Sequence, residues 1–129
     1  MNEIALQVTG ESDIAEAARC ARRFARFIGL GAVQAHYVAT AASELAANLL
    51  VHAGGGRFEV RVLPGRPGLE LQAIDYGPGI ANLEQAMQEG FSTAGSLGCG
   101  LPGVKRLMDE MEIDTRLGHG TSVRARKWG

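Results

Sequence analysis

Two polar side chains stand four residues apart near the middle of the sequence, Glu44 and Asn48, inside a stretch whose apolar residues recur at helical spacing. On an α-helix that separation is about 6 Å along the axis and nearly in line, so both side chains point the same way. A carboxylate in such a place accepts a proton or orients a hydroxyl, and an amide oxygen ligates a hard cation such as Mg2+. The same spacing is common on solvated helix faces, so the pair decides nothing by itself.

Asp75 closes an apolar alternation and opens Asp75-Tyr76-Gly77-Pro78-Gly79-Ile80. Its carboxylate can accept a hydrogen bond from an exocyclic amine while Gly77 and Gly79 bring the backbone close to a ligand. A tight turn after a strand uses the same residue types, and both readings stand. Further on, Gly95-Ser96-Leu97-Gly98-Cys99-Gly100-Leu101-Pro102-Gly103 leads into a helix. Successive backbone amides at a helix start suit phosphate oxygens, and the helix dipole adds to the attraction. Gly98, Gly100 and Gly103 spell G-x-G-x-x-G, yet no strand precedes them and no βαβ unit surrounds them, which excludes a dinucleotide fold. A Walker A loop is excluded too, because Val104 separates Gly103 from Lys105 and no Ser or Thr follows that lysine. His36, His52 and His119 are dispersed, without metal-ligand spacing.

The elements that must position these groups can be read from periodicity. Ile4, Leu6 and Val8 alternate with polar residues as in a strand. Asp13 followed by Glu16 resembles a capping box, and Ile14, Ala17, Ala18, Ala21, Phe24, Ala25 and Ile28 carry a helix to Gly29. A second helix runs from about Val33 to His52, with Val38, Ala41, Ala42, Leu45 and Leu49 as its buried stripe and Glu44 and Asn48 off that stripe. Phe58 to Val62 and Leu69 to Ala73 form a hairpin about the Pro64–Gly68 turn, ending at Asp75. Tyr76 to Gly103 is a long loop with one short helix around Leu83 to Gln88, and long loops in small domains are commonly functional or disordered. Val104 to Met111 forms a third major helix, and Ile113–Arg116 with Thr121–Lys127 closes the chain as a hairpin. Strands and helices segregate, which predicts an α+β fold: a mixed, mainly antiparallel sheet with helices on one face.

The 129 residues suit one domain. With 46% hydrophobic and 21% charged residues the composition is that of a globular protein, neither disordered nor membrane-spanning. Thirteen basic and fourteen acidic residues give no electrostatic reason to bind nucleic acid. No charged leader precedes an apolar run, so a cytoplasmic protein is expected. Arg19, Arg22, Arg23 and Arg26 cluster on the first helix as a solvated face, Cys20 and Cys99 read as reduced packing thiols, and Trp128 as a packing anchor for the last strand.

Taken in order, Glu44-Leu45-Ala46-Ala47-Asn48, Asp75-x-Gly77-x-Gly79, Gly95-x-Leu97-Gly98-x-Gly100 and Gly118-x-Gly120-Thr121 resemble the four boxes of the GHKL ATPases across nearly the whole chain. Glu89–Gly95, Gly100–Glu110 and the Lys127-Trp128 ending look like the RsbT-type switch kinases more than the anti-sigma branch. The resemblance implies a Bergerat-type two-layer α/β sandwich with ATP under a lid, Leu83 to Leu97. It implies Mg2+ on Asn48, the adenine amino group on Asp75 and the base passing close to Gly77 and Gly79. Gly95, Gly98 and Gly100 would cradle phosphates, Lys105 add positive charge or stay a surface residue, and Thr121 support the adenine end. Glu44 would orient or deprotonate the attacking hydroxyl. The implied activity is a protein serine/threonine kinase acting on STAS-domain antagonists, with a second role in activating a PP2C-type phosphatase. Two alternatives are an anti-sigma kinase that sequesters a sigma factor, and a binding module that uses ATP only as a structural ligand.

Overall fold

The computed structural model describes residues 2–80 and 100–129. Gly95, Gly98, Cys99, the lid segment and the expected short helix Leu83–Gln88 lie outside the described residues. The elements are β1 (Glu3–Val8), α1 (Glu11–Phe27), α2 (Ala32–Ala53), β2 (Gly56–Val62), β3 (Gly68–Asp75), α3 (Gly100–Leu107), β4 (Glu110–Arg116) and β5 (Gly120–Trp128).

The strands form one sheet in the order β1-β2-β3-β5-β4. Every pair is antiparallel, where a mixed, mainly antiparallel sheet was expected. The register explains why only one face carries helices. One side presents Ile4, Val60, Leu71, Ala125 and Met111 as a row across all five strands, and Leu6, Phe58, Ala73, Val123 and Ile113 as the next. Apart from the exposed Ile4, these rows join Phe24, Val38, Leu45 and Leu49 of α1 and α2 in a single core. The opposite side presents Glu3, Arg61, Glu70, Arg126 and Glu110 as a row of alternating charge. Arg61 reaches Glu3 at 3.1 Å and Glu70 at 3.9 Å, and Arg126 reaches Glu70 at 2.8 Å and Glu110 at 3.4 Å. Cross-strand pairs of opposite charge support the sheet, and a face so charged cannot bury a helix without stripping water from every pair. The fold is therefore the expected two-layer sandwich.

Local differences from the expectation have local causes. Asp13 is not the N-cap of α1: the helix starts at Glu11 behind Gly10, and the Asp13 carboxylate reaches back to the amides of Thr9 at 2.9 Å and Gly10 at 3.1 Å. That contact holds its carboxyl below the usual range, chiefly through the Thr9 amide. The last helix begins at Gly100 rather than Val104, with Pro102 in its first turn, where no amide donor is needed. It ends at Leu107, and Met111 belongs to β4, opposite Ala125, because pairing with β5 puts its side chain on the core face.

The C-terminal residues tie the layers together. Lys127 is buried, its Nζ donating to the Leu107 carbonyl at 2.9 Å at the end of α3, beside Asp109 and 5.4 Å from the Tyr37 ring centre. Trp128 lies against Gly68, donates from Nε1 to Glu110 at 2.7 Å, and is covered by Arg66 at 4.3 Å. The indole is an anchor for the last strand, as its position in the sequence implied.

Candidate active site

Asp75, Gly77, Gly79 and Thr121 gather at one end of the sheet. Alternation places Asp75 and Thr121 on the helix-bearing face, directly opposite each other on β3 and β5, with Thr115 of β4 next in the same row. Asp75 Oδ1 accepts the amide of Gly77 at 2.9 Å and the amide of Thr121 at 3.2 Å. Among the described residues no donor reaches Oδ2. Two backbone donors on one oxygen fix the carboxylate plane and leave the second oxygen to a further donor.

The backbone leaves little room here for anything but glycine at two points. Gly79 has φ +80°, and a Cβ on it would stand 2.4 Å from the Arg116 carbonyl oxygen. Gly120 has φ +114°, and a Cβ would stand 2.1 Å from the Asp75 carbonyl oxygen. Gly77, the third glycine of this end, packs its Cα side against Ala53 at the close of α2. The strand ends, the turn after Asp75 and the end of α2 thus form one tightly packed corner.

Thr115 was not singled out by its sequence context. Its Oγ1 accepts the Ile80 amide at 2.9 Å and lies 2.9 Å from Thr121 Oγ1, so it links the glycine turn to the hydroxyl beside Asp75. Only the β4–β5 register brings the two threonines together; an isolated Thr in an alternating strand carries no such signal.

Glu44 and Asn48 both lie on α2, but in different surroundings. Asn48 is half-buried, whereas Glu44 is only 1% exposed, counter to the polar face read from the sequence. The cause is α3, whose start packs on α2: the Gly100 amide donates to Glu44 Oε2 at 3.2 Å. Burial pushes the Glu44 carboxyl above its ordinary pKa, and the Gly100 amide partly offsets this. A raised carboxyl is a stronger base when ionised. Lys105 is exposed on α3, one turn past that contact. On the outer side of the sheet end, an open depression of about 180 Å³ touches Ile74, Asp75, Asp114 and Ser122, too small and shallow to enclose a nucleotide.

Among the described residues no three His, Cys, Asp or Glu side chains are grouped to hold a metal. No described helix is long and apolar enough to cross a membrane.

Known proteins match this arrangement. The histidine kinase-like ATPase domain matches residues 8–127. The serine/threonine-protein kinase RsbT of Bacillus subtilis is 42% identical over 125 residues, covering 95% of this chain and 94% of that protein. The anti-sigma F factor of Caldanaerobacter subterraneus is 33% identical over 97 residues, covering 70% and 68%. The mycobacterial sensor histidine kinase MprB superposes with a TM-score of 0.59 at 18% identity, over 98% of this chain and 97% of that one, a likeness of fold alone. With the family model matched over residues 8–127 and RsbT similar over almost the whole of both chains, the chain belongs to the histidine kinase-like ATPase family.

Proposed function

We propose that the protein is an ATP-dependent serine/threonine kinase in which all 129 residues act as one unit, phosphorylating a STAS-domain antagonist in the cytoplasm and switching between that target and a PP2C-type phosphatase. The observation that supports the proposal is the paired use of Asp75 Oδ1 by Gly77 and Thr121, which leaves Oδ2 available to a donor such as the adenine amino group. The similarity to RsbT over almost the full length of both chains supports the kinase reading.

In this reading Thr121 and Thr115 brace the adenine end, and Gly79 keeps the turn close enough for the base to enter. Gly95 and Gly98 supply amides for the phosphates, with Lys105 nearby, while Gly100 permits the left-handed turn beside them, its own amide being held by Glu44. The Asn48 amide oxygen fits Mg2+, which favours a few protein oxygens together with substrate phosphates over an all-protein cage. Bound Mg2+ supplies charge neutralisation on the phosphates during transfer. Glu44 orients the attacking hydroxyl and takes its proton, a role that suits a buried carboxylate of raised basicity. Phosphoryl transfer rests mostly on alignment and charge, so this small set is chemically adequate.

The test is incubation of the protein with Mg2+, labelled ATP and STAS-domain proteins encoded nearby. Label on one of them supports the reading, and nucleotide uptake without transfer to any of them leaves the alternative of a binding module. Asp75→Asn is expected to weaken ATP binding in calorimetry. A second reading, an anti-sigma kinase, is favoured by the similarity to the anti-sigma F factor; co-purification of a sigma factor in place of a phosphatase would select it.

A further inference from the structure

The arginines of α1 are not explained by the nucleotide site. That site lies where β3 ends at Asp75, whereas α1 ends at Phe27 and the Gly29–Gly31 turn leads into α2 at the opposite end of the molecule. Gln34 Nε2 donates to the Trp128 carbonyl at 3.2 Å, and Trp128 pairs with Gly68 at the start of β3. The eight residues of β3 separate the two ends by about 23 Å at the usual strand rise.

Four arginines of the outer sheet face are matched with carboxylates; Arg66 lies over Trp128, and Arg116 makes no ion pair among the described residues. On the sheet face Arg57 pairs with Glu59, Arg61 with Glu3, Arg124 with Glu112, and Arg126 with Glu70, Glu110 and Glu112. On α1 only Arg19 is matched, by Glu16. Arg22 and Arg23 are exposed and make no ion pair among the described residues, and Arg26 donates to the Leu30 carbonyl at 3.1 Å. Glu16 also feels the Arg23 charge, yet its carboxylate is already taken by Arg19. The net charge of −1 is therefore unevenly spread, with a cationic stripe on the second half of α1.

Large apolar side chains are exposed at the same end. Phe27 is 63% exposed, Val33 64% and Tyr37 41%, flanking the turn between α1 and α2. Unmatched arginines beside exposed aromatic and aliphatic side chains are the composition of a protein interface, where Arg and aromatic residues carry much of the binding energy. A second copy of this chain is a poor occupant, because it would bring the same positive charges together. A polyanion is also disfavoured, since the remainder of the chain is net acidic.

We propose that Arg22, Arg23, Arg26, Phe27, Val33 and Tyr37 form a docking surface for the acidic, partly apolar face of a regulatory protein that is not the phosphoacceptor. A partner seated there leaves the nucleotide end uncovered. Binding of this partner and binding of ATP are then compatible. The inference rests on the proposed kinase reading for its probe, the PP2C-type phosphatase.

Calorimetry of the full chain with that phosphatase tests the proposal, using Arg22→Glu/Arg23→Glu and, separately, Phe27→Ser. The charge-reversed variant is expected to bind the phosphatase at least about tenfold more weakly, as for charges facing an oppositely charged partner. Its melting temperature, ATP affinity and transfer rate to the phosphoacceptor are expected to stay at parental values. Raising salt from about 50 to 300 mM should weaken the parent complex and leave the charge-reversed one nearly unchanged. Unaltered phosphatase affinity in both variants overturns the docking surface while leaving the kinase reading intact. So does a variant whose lost property is self-association, or binding to RNA or to phosphatidylserine vesicles. A parent chain that takes up ATP yet binds neither phosphatase nor phosphoacceptor overturns the partner-switching reading and the docking surface together.

Discussion

Gly120 sets how closely the end of β5 approaches Asp75. Its φ is +114°, and a Cβ placed on it would lie 2.1 Å from the Asp75 carbonyl oxygen and 2.8 Å from Tyr76 Cα. Alanine at this position therefore faces two penalties. The backbone conformation costs an L-residue about 1–3 kcal/mol. Prising β5 from the end of β3 costs about 1–3 kcal/mol more, as overpacking does in interiors. The sum, roughly 2–6 kcal/mol, lowers the melting temperature by about 10 °C or more in a domain of this length. Gly118 is the internal control, because its φ is +78° but nothing lies within 4 Å of an added Cβ. Alanine there costs only about 1–2 kcal/mol, the left-handed penalty alone. The displaced strand in Gly120→Ala also moves the Thr121 amide away from Asp75 Oδ1. Losing a hydrogen bond to a charged group weakens ATP affinity by roughly tenfold or more. Thermal unfolding and calorimetric ATP titration of the two variants side by side check both effects. Equal melting temperatures and equal affinities for Gly118→Ala and Gly120→Ala would refute the claim that close approach of the strands shapes the site.

Glu44→Gln carries a pH signature. Burial raises the folded carboxyl above 4.5, so the folded state holds its proton to higher pH than the unfolded chain, and stability falls as pH climbs from that value through the raised one. The glutamine variant is expected to lose this decline and to melt no lower than the parent at about pH 8, while phosphoryl transfer slows about 100-fold. A variant that melts lower there, or transfers at the parental rate, contradicts the assignment. Asn48→Ala is expected to abolish the strengthening of ATP binding by Mg2+ while leaving affinity in a chelator unchanged, as titrations with and without the metal would read. Arg126→Ala removes the cation between Glu70, Glu110 and Glu112 on the outer face. Partial solvent access reduces the loss from that of a buried pair to about 1–3 kcal/mol, read by denaturant unfolding with ATP affinity unmoved.

Much of the architecture follows from local chemistry. Alternation in Phe58–Val62 and Leu69–Ala73, the helical stripe from Val38 to Leu49, and the glycine-rich turns each carry their own signal, and the structure extends these segments by a residue or two. Asp75 with Gly77 and Gly79 was also legible, because a carboxylate at a strand end followed by glycines is conspicuous by type. Other features had no local signal. Asp13 looked like an N-cap because the residue that caps by its backbone, Gly10, offers no side chain to notice. Met111 continued a helical pattern until pairing with β5 claimed it.

The amino-acid sequence by itself determined the order of the elements, the apolar faces that must meet, and the set of polar residues able to serve a nucleotide. Those properties depend on neighbours within a turn or a strand. Which of the polar residues share a site was decided only in three dimensions. Glu44 is a polar residue on a helix until α3, fifty-six positions later, lays the Gly100 amide against it and removes it from water. Thr115 and Lys127 gain their partners from strand register and helix docking in the same way. A side chain's burial, basicity and bonding partners are set by whichever elements pack against it, and that information is held by the whole chain together.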